Sequence, residues 1–294
     1  MLASSSVFGQ VENHLRNKKF SSALMQLGGM SVQYSKDIAY LTYLSQTLRG
    51  LGDQLALIKT LKELQRQQPT ESVEVEIMEL LYKNAHINEA LDIALGLQER
   101  PMSIADKQTV YLTLLRIYIE ENDFEGVQEV LDQSAILLTG NDFAAWAQGL
   151  VHLSNGEKNL AVAQFRKAVQ LNPANDQAWV SLALVHQDMG DDELAVANLE
   201  KALDCNPMNN SAVKLYSQWA VKRTDKTSKA LQSLRFYLAE HGFDEEISVC
   251  HVQLLCHLKF WSEATNEINK LIIANPRNLN YIAMKKNLEQ SLNM

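Results

Sequence analysis

The residue types able to do chemistry are few and scattered. Cysteine and histidine come together once, as Cys250-His251 and Cys256-His257. Two thiols and two imidazoles would suit a tetrahedral zinc ion. On one helix, however, residues 250 and 257 share a face while 251 and 256 point elsewhere, so four ligands do not converge from this segment alone. The expectation is small, partly buried helix residues and no metal. Carboxylate pairs abound, but none has a sequence context that would shift a pKa toward catalysis. There is no glycine-rich phosphate loop, no nucleophile elbow and no His-Glu-x-x-His motif. These residues predict no catalytic group and no cofactor, and so a protein that is not an enzyme.

The elements that would position any site follow from composition. The chain has 294 residues and 46% are hydrophobic. Its 12 Gly and 5 Pro are about half the roughly 12% share of an average soluble chain. An all-β fold of this length would need many more turn residues. Ordinary apolar content and modest charge disfavour disorder, and 3 Cys exclude a disulfide scaffold. The Met1–Ser6 stretch lacks the basic and apolar regions of a secretory signal. No run approaches the ~18 apolar residues of a membrane span. A cytoplasmic, reducing setting is expected, with no direct membrane insertion. The net charge of -8 argues against a nucleic-acid partner. It is concentrated: between Glu71 and Asp132 lie 14 acidic and four basic residues. Such a run is either a set of solvated helix faces or a surface that orients a charged partner.

A ruler runs through the chain. The prolines sit at 69, 101, 173, 207 and 276, with gaps of 32, 72, 34 and 69, or one, two, one and two units of roughly 34. Gly156 and Gly190, Ala161 and Ala195, and Ala168 and Ala202 share the 34-residue offset. A period of this size marks a solenoid. Each unit reads as two amphipathic helices. Gly149, Ala183 and Ser217, with Ala161, Ala195 and Ala264, lie where two helices cross closely. Gly156 and Gly190 end a first helix in a left-handed turn. Asn-Pro pairs at 172, 206 and 275 stop the second. Gly140 and Gly242 take the place of the two missing prolines.

One unit reads Trp179-x2-Leu182-Ala183-x2-His186, then Ala195-x3-Leu199, Ala202 and Pro207. The unit before it reads Ala145-x2-Gln148-Gly149-x2-His152, then Ala161-x3-Phe165, Ala168 and Pro173. With these residues the sequence resembles the tetratricopeptide repeat family, whose pattern is Trp-x2-Leu-Gly-x2-Tyr, Ala-x3-Phe and Pro. The match is strongest over about 142–209. His152 and His186 stand where the family usually has Tyr, and are expected to pack with one nitrogen satisfied. The resemblance implies an all-α, right-handed superhelical solenoid of about eight antiparallel helix pairs in a single domain. The repeats fall at approximately 4–37, 38–70, 71–104, 108–141, 142–175, 176–209, 210–244 and 245–278. A capping helix, 279–294, turns Tyr281, Met284 and Leu288 inward. A polar insertion, 223–229, separates the helices of the seventh unit.

In this family the first helices line a concave surface. Stepping around each first helix places Leu112, Arg116 and Ile119 on that surface in the fourth unit, and Phe143, Trp146, Leu150 and Leu153 in the fifth. Leu184 and Gln187 follow in the sixth, with Val180, and Lys214 and Lys222 in the seventh, with Gln218 and Val221. Trp146 stands one step from the family's Trp slot, which holds Ala145. It is either a binding residue, since Trp is enriched at interface hot spots, or a packing residue against Leu112 or the array's own N-terminal half. Family members that clamp a chaperone's C-terminal carboxylate use Asn and Lys; Leu150 and Leu184 stand in the Asn-like slots, which disfavours that ligand. An apolar groove suits a helical or extended segment of a partner protein. The expected function is a non-enzymatic adaptor or scaffold. The resemblance includes bacterial members in assembly, secretion, motility and polarity systems. The alternative is a self-assembling homo-oligomer, with Val7, Phe8 and Val11 of the weak first unit exposed at the array's end.

Overall fold

A computed structural model describes residues 7–222 and 226–292. The Met1–Ser6 stretch, residues 223–225 of the polar insertion and the last two residues of the tail lie outside the described residues. The described residues form seventeen helices and no strand. They are α1 (Gly9–Arg16), α2 (Phe20–Tyr34), α3 (Ile38–Leu51), α4 (Gln54–Gln67), α5 (Glu71–Lys83), α6 (Ile87–Leu97), α7 (Ile104–Glu120) and α8 (Phe124–Ser134). Then follow α9 (Asp142–Ser154), α10 (Lys158–Leu171), α11 (Asp176–Asp188), α12 (Asp192–Cys205), α13 (Asn210–Lys222), α14 (Thr227–His241), α15 (Glu245–His257), α16 (Trp261–Ala274) and α17 (Leu279–Leu292). Each odd-numbered helix from α1 to α15 packs against its successor, making eight antiparallel pairs, and α17 packs on α16. The fold is the expected all-α tetratricopeptide-type solenoid with a capping helix. Thr227, Ser228 and Lys229 form the first turn of α14 rather than part of an insertion. No described helix is long and apolar enough to cross a membrane.

Side chains set the helix starts. Asp37, Asp53, Thr70, Ser103, Asp123, Asn141, Asn175, Asp191 and Asp244 each accept a bond from the backbone N–H three residues on. A cap of this kind satisfies a donor that the helix leaves unpaired. Between the helices of a pair the backbone turns left-handed. Gly52, Gly156 and Gly190 supply the positive φ at no steric cost. Lys18, Ala85, Asn122 and Lys259 adopt the same conformation at the equivalent step of other pairs. Gly140 and Gly242 also have positive φ, at the two unit ends that lack proline.

The chain forms two compact units, one up to Thr139 and one from Gly140. In the first, Leu61, Met78, Leu97, Leu114, Leu115 and Ile117 are fully buried. No carboxylate of the 71–132 run is buried. Cations from the preceding pair meet several of them: Arg49 on Glu76 at 2.7 Å, and Lys62 on Glu89 at 2.8 Å. In the second unit, one cluster joins α9, α10 and α11 around Phe165 and Leu182. Another joins α11 through α17 around Tyr216, Leu234 and Leu254. Tyr281 and Leu288 of α17 are buried, and Met284 is half-buried. The cap covers apolar surface that a last repeat would otherwise leave in water.

Candidate functional site

In the second unit the first helices α13 and α15 lie side by side and α17 takes the next place. Between them is an apolar cleft of about 580 Å³. Val221 and Lys222 of α13 form one wall, and Met284, Asn287, Leu288 and Ser291 of α17 the other. Val252, Gln253 and Cys256 of α15 form the floor, with Trp261 from the start of α16. A second cleft of about 440 Å³ adjoins it and shares Gln218 and Gln253. Its remaining lining is Lys214, Glu245, Glu246, Val249, Cys250 and Tyr281.

The two clefts differ in charge. Lys214 Nζ lies 2.5 Å from Glu246 Oε2, and that bond raises the lysine's pKa. Tyr281 donates its hydroxyl to Glu245 at 2.5 Å. Burial, then this bond, pushes its pKa up to about 12. Burial also raises the Cys256 thiol, so the cleft presents it protonated and a poor nucleophile.

The expected groove residues divide among three settings. Leu112, Arg116 and Ile119 lie half-buried on α7 in the first unit. Phe143 and Trp146 lie on α9, their rings 5.2 Å apart. Trp146 is half-buried, packs on the α9–α11 cluster, and donates its indole N–H to Ser181 Oγ at 2.9 Å. Leu150 and Leu153 pack on the same cluster. Val180, expected on the open face, is buried in the core. Leu184 is 42% exposed and Gln187 is exposed. Only Lys214 and Lys222, with Gln218 and Val221, line the clefts. The sequence reading missed Val252, Gln253, Cys256, Trp261, Met284 and Leu288. Gln253 was within reach of it: Leu150, Leu184 and Gln218 each follow a small residue by one step, and the next residue at that spacing is Gln253.

Other chemistry-bearing residues fall apart in space. Cys250 and His251 are buried, Cys256 is half-buried and His257 is exposed. Among the described residues no three His, Cys, Asp or Glu side chains gather as metal ligands. His152 Nδ1 lies 2.7 Å from Glu157. His186 is buried, which lowers its pKa. Phe8 and Val11, expected at an open apolar end, are buried; Phe8 packs on Tyr34 and Tyr43, and of the three only Val7 is exposed.

Residues 144–175 and 176–207 each match the family profile for the tetratricopeptide repeat. This stretch carries two tetratricopeptide repeats, and the described fold around it is of the same type. Solved structures share the fold. A tetratricopeptide repeat protein from Parabacteroides merdae is 15% identical, covering 86% of this chain and 98% of its own, with a TM-score of 0.56. Pseudomonas aeruginosa pilF is 15% identical over 74% of this chain and 97% of its own, with a TM-score of 0.58. A chain of the APC/C hetero-tetramer Cut9-Hcn1 is 13% identical over 99% of this chain and 58% of its own, with a TM-score of 0.55. No curated protein matches the sequence.

Proposed function

We propose that the protein is a non-enzymatic adaptor that holds a helical or extended segment of a partner protein against α13, α15 and α17. The observation that carries this reading is the apolar cleft, open to water yet lined by Val221, Val252, Trp261, Met284 and Leu288. A concave apolar site with a few polar groups on its rim is the usual form of a binding pocket. The family supports the same reading, because stacked repeats present such surfaces to other proteins. On this reading the partner sits toward the C-terminal end of the second unit rather than around Trp146, whose indole N–H is already bonded within the array.

Recovery of partners from a lysate of the native cell, with three forms of the chain as bait, tests the placement. Gln253→Trp puts a large ring between the two clefts from an exposed position, so the fold is kept. It is expected to abolish recovery of the partner that the wild type retains, while Leu184→Ser, on an exposed face of α11, leaves it in place. Recovery that survives Gln253→Trp would overturn the cleft as the site.

A further inference from the structure

A further cleft, of about 570 Å³, lies on the second helices of the second unit. Leu231, Arg235 and Phe236 of α14 form one side of it, and Leu258 and Phe260, in the turn into α16, the other. Phe236 is 47% and Phe260 44% exposed. The repeats themselves show that the fold does not require these rings. Phe260 immediately precedes α16, and the same place before every other described second helix holds an ionisable residue. Asp53, Asp123 and Asp191 there cap their helices, whereas α16 starts with no side-chain cap. The step of Phe236 holds Lys167, Lys201 and Lys270 in α10, α12 and α16, and Glu63, Gln133 or a glycine in the earlier pairs. Two rings thus replace polar or small residues at a single junction and line one hollow. One of them forgoes a cap that would stabilise its helix. Apolar surface kept in water at a cost to the local structure marks an interaction site.

Charge narrows what it takes. Arg235 is the only charged residue in the lining, and Glu263 meets its guanidinium. Lys259, between Leu258 and Phe260, is exposed and has no carboxylate partner among the described residues. Glu240, one turn past Phe236, lies outside the lining. The mouth therefore sets two cations against one carboxylate, on a chain whose net charge is -8. A second copy docked through the same face about a two-fold axis would bring like charges together. An acidic partner would not. We propose that this outer cleft is a second docking site, for a segment of a different protein that places an aromatic or leucine side chain between Phe236 and Phe260 and a carboxylate on Lys259. Rings gain from edge-on or offset contact with other rings beyond the area they bury. The next residue, Trp261, lines the first-helix cleft instead. The two sites are separate, and this one does not depend on what fills the other.

A displayed library of random dodecapeptides, depleted on Phe236→Lys/Phe260→Asp and then selected on the wild-type chain, supplies the probes. The double variant carries the residues that α10 and α12 have at the same junction, Lys167 and Asp191. Its melting temperature should match or exceed that of the wild type, because α16 regains a cap. Winners are synthesised with a fluorescent label and their affinities read by anisotropy. They are expected to carry an aromatic residue or Leu beside Asp or Glu, and to bind the double variant at least ~10-fold more weakly. Lys259→Gln should weaken them about 2- to 5-fold, and Gln253→Trp, in the first-helix cleft, should leave them unchanged. Winners that lack an acidic residue and ignore Lys259→Gln overturn the acidic partner. A library with no winner, or winners lost on Gln253→Trp, overturns the outer site whatever becomes of the inner one. Self-association in sedimentation velocity that the double variant abolishes overturns the foreign partner in favour of a second copy.

Discussion

Gly149 shows how one residue sets the distance between two helices. It lies on α9 facing α10, and a Cβ there would fall 2.4 Å from Cε1 of Phe165, a fully buried ring. Alanine would gain about 1 kcal/mol of helix propensity over glycine. The clash requires Phe165 or the helix to move, at a cost of about 1–3 kcal/mol for overpacking. Gly149→Ala is expected to lower stability by about 1 kcal/mol, read as a drop in the urea midpoint. An unchanged or raised midpoint would mean that the ring swings aside freely. Trp146, three residues earlier, carries the opposite lesson. Its type left a binding anchor and a packing residue both open, and its indole N–H bonds Ser181 Oγ. A side chain's partner depends on the neighbouring repeat, which its own helix does not reveal.

At the scale of elements, the turns are clipped as well as stopped. The Asn-Pro pairs end the second helices, as their chemistry requires. Two of these asparagines, each with a second one three residues on, then tie neighbouring repeats together. Asn172 and Asn175 donate to Asp142 Oδ2 at 3.0 and 2.8 Å, and Asn206 and Asn209 donate to Asp176 Oδ2 at 2.7 and 2.8 Å. Each aspartate opens a first helix, where its charge also suits the helix dipole. Asp176→Ala would strand two half-buried amides and is expected to cost about 1–3 kcal/mol. Asp176→Asn, which keeps one acceptor, should fall between. Thermal melts of the three proteins check the order, and equal melting temperatures would show that water replaces the carboxylate without loss. The left-handed turns were legible only where glycine marks them. Ala85 and Lys259 adopt the same φ, and nothing in an alanine or a lysine announces it.

For the molecule as a whole, acid is the expected weakness. His251 is 8% exposed, and neither of its ring nitrogens has a hydrogen-bond partner among the described residues. Burial lowers its pKa most; Glu267 and Glu263 favour the proton, while Arg235 and Lys270 oppose it. Burial lowers the pKa of His186 too. In the unfolded chain both titrate near the ordinary value of about 6.5. The unfolded state therefore binds more protons below that pH. The stability contributed by two neutral histidines is full above about pH 6.5 and is lost as pH falls toward their lowered folded values. Melting temperatures should fall from pH 7.5 to pH 5. His251→Leu should flatten part of that slope and melt no lower at pH 7.5, because it removes two unsatisfied polar atoms. A variant with the wild-type slope would show that His251 takes its proton without opening the fold.

The sequence by itself determined the repeat. Pro173, Pro207, Gly156 and Gly190 carry it because stopping a helix and turning left-handed are local backbone properties, so the residue type reports them. The small residues at 149, 161, 183 and 195 carry it because close crossings recur at one period. The cleft was a different matter. Its walls come from α13 and α17, some 70 residues apart, and its floor from α15 with Trp261 of α16. Met284 and Leu288 read correctly as inward residues of a cap. Which hollow they border depends on how the cap settles against two earlier helices. That docking is a balance of many weak contacts between distant segments, so only the tertiary structure decided where the cleft lies.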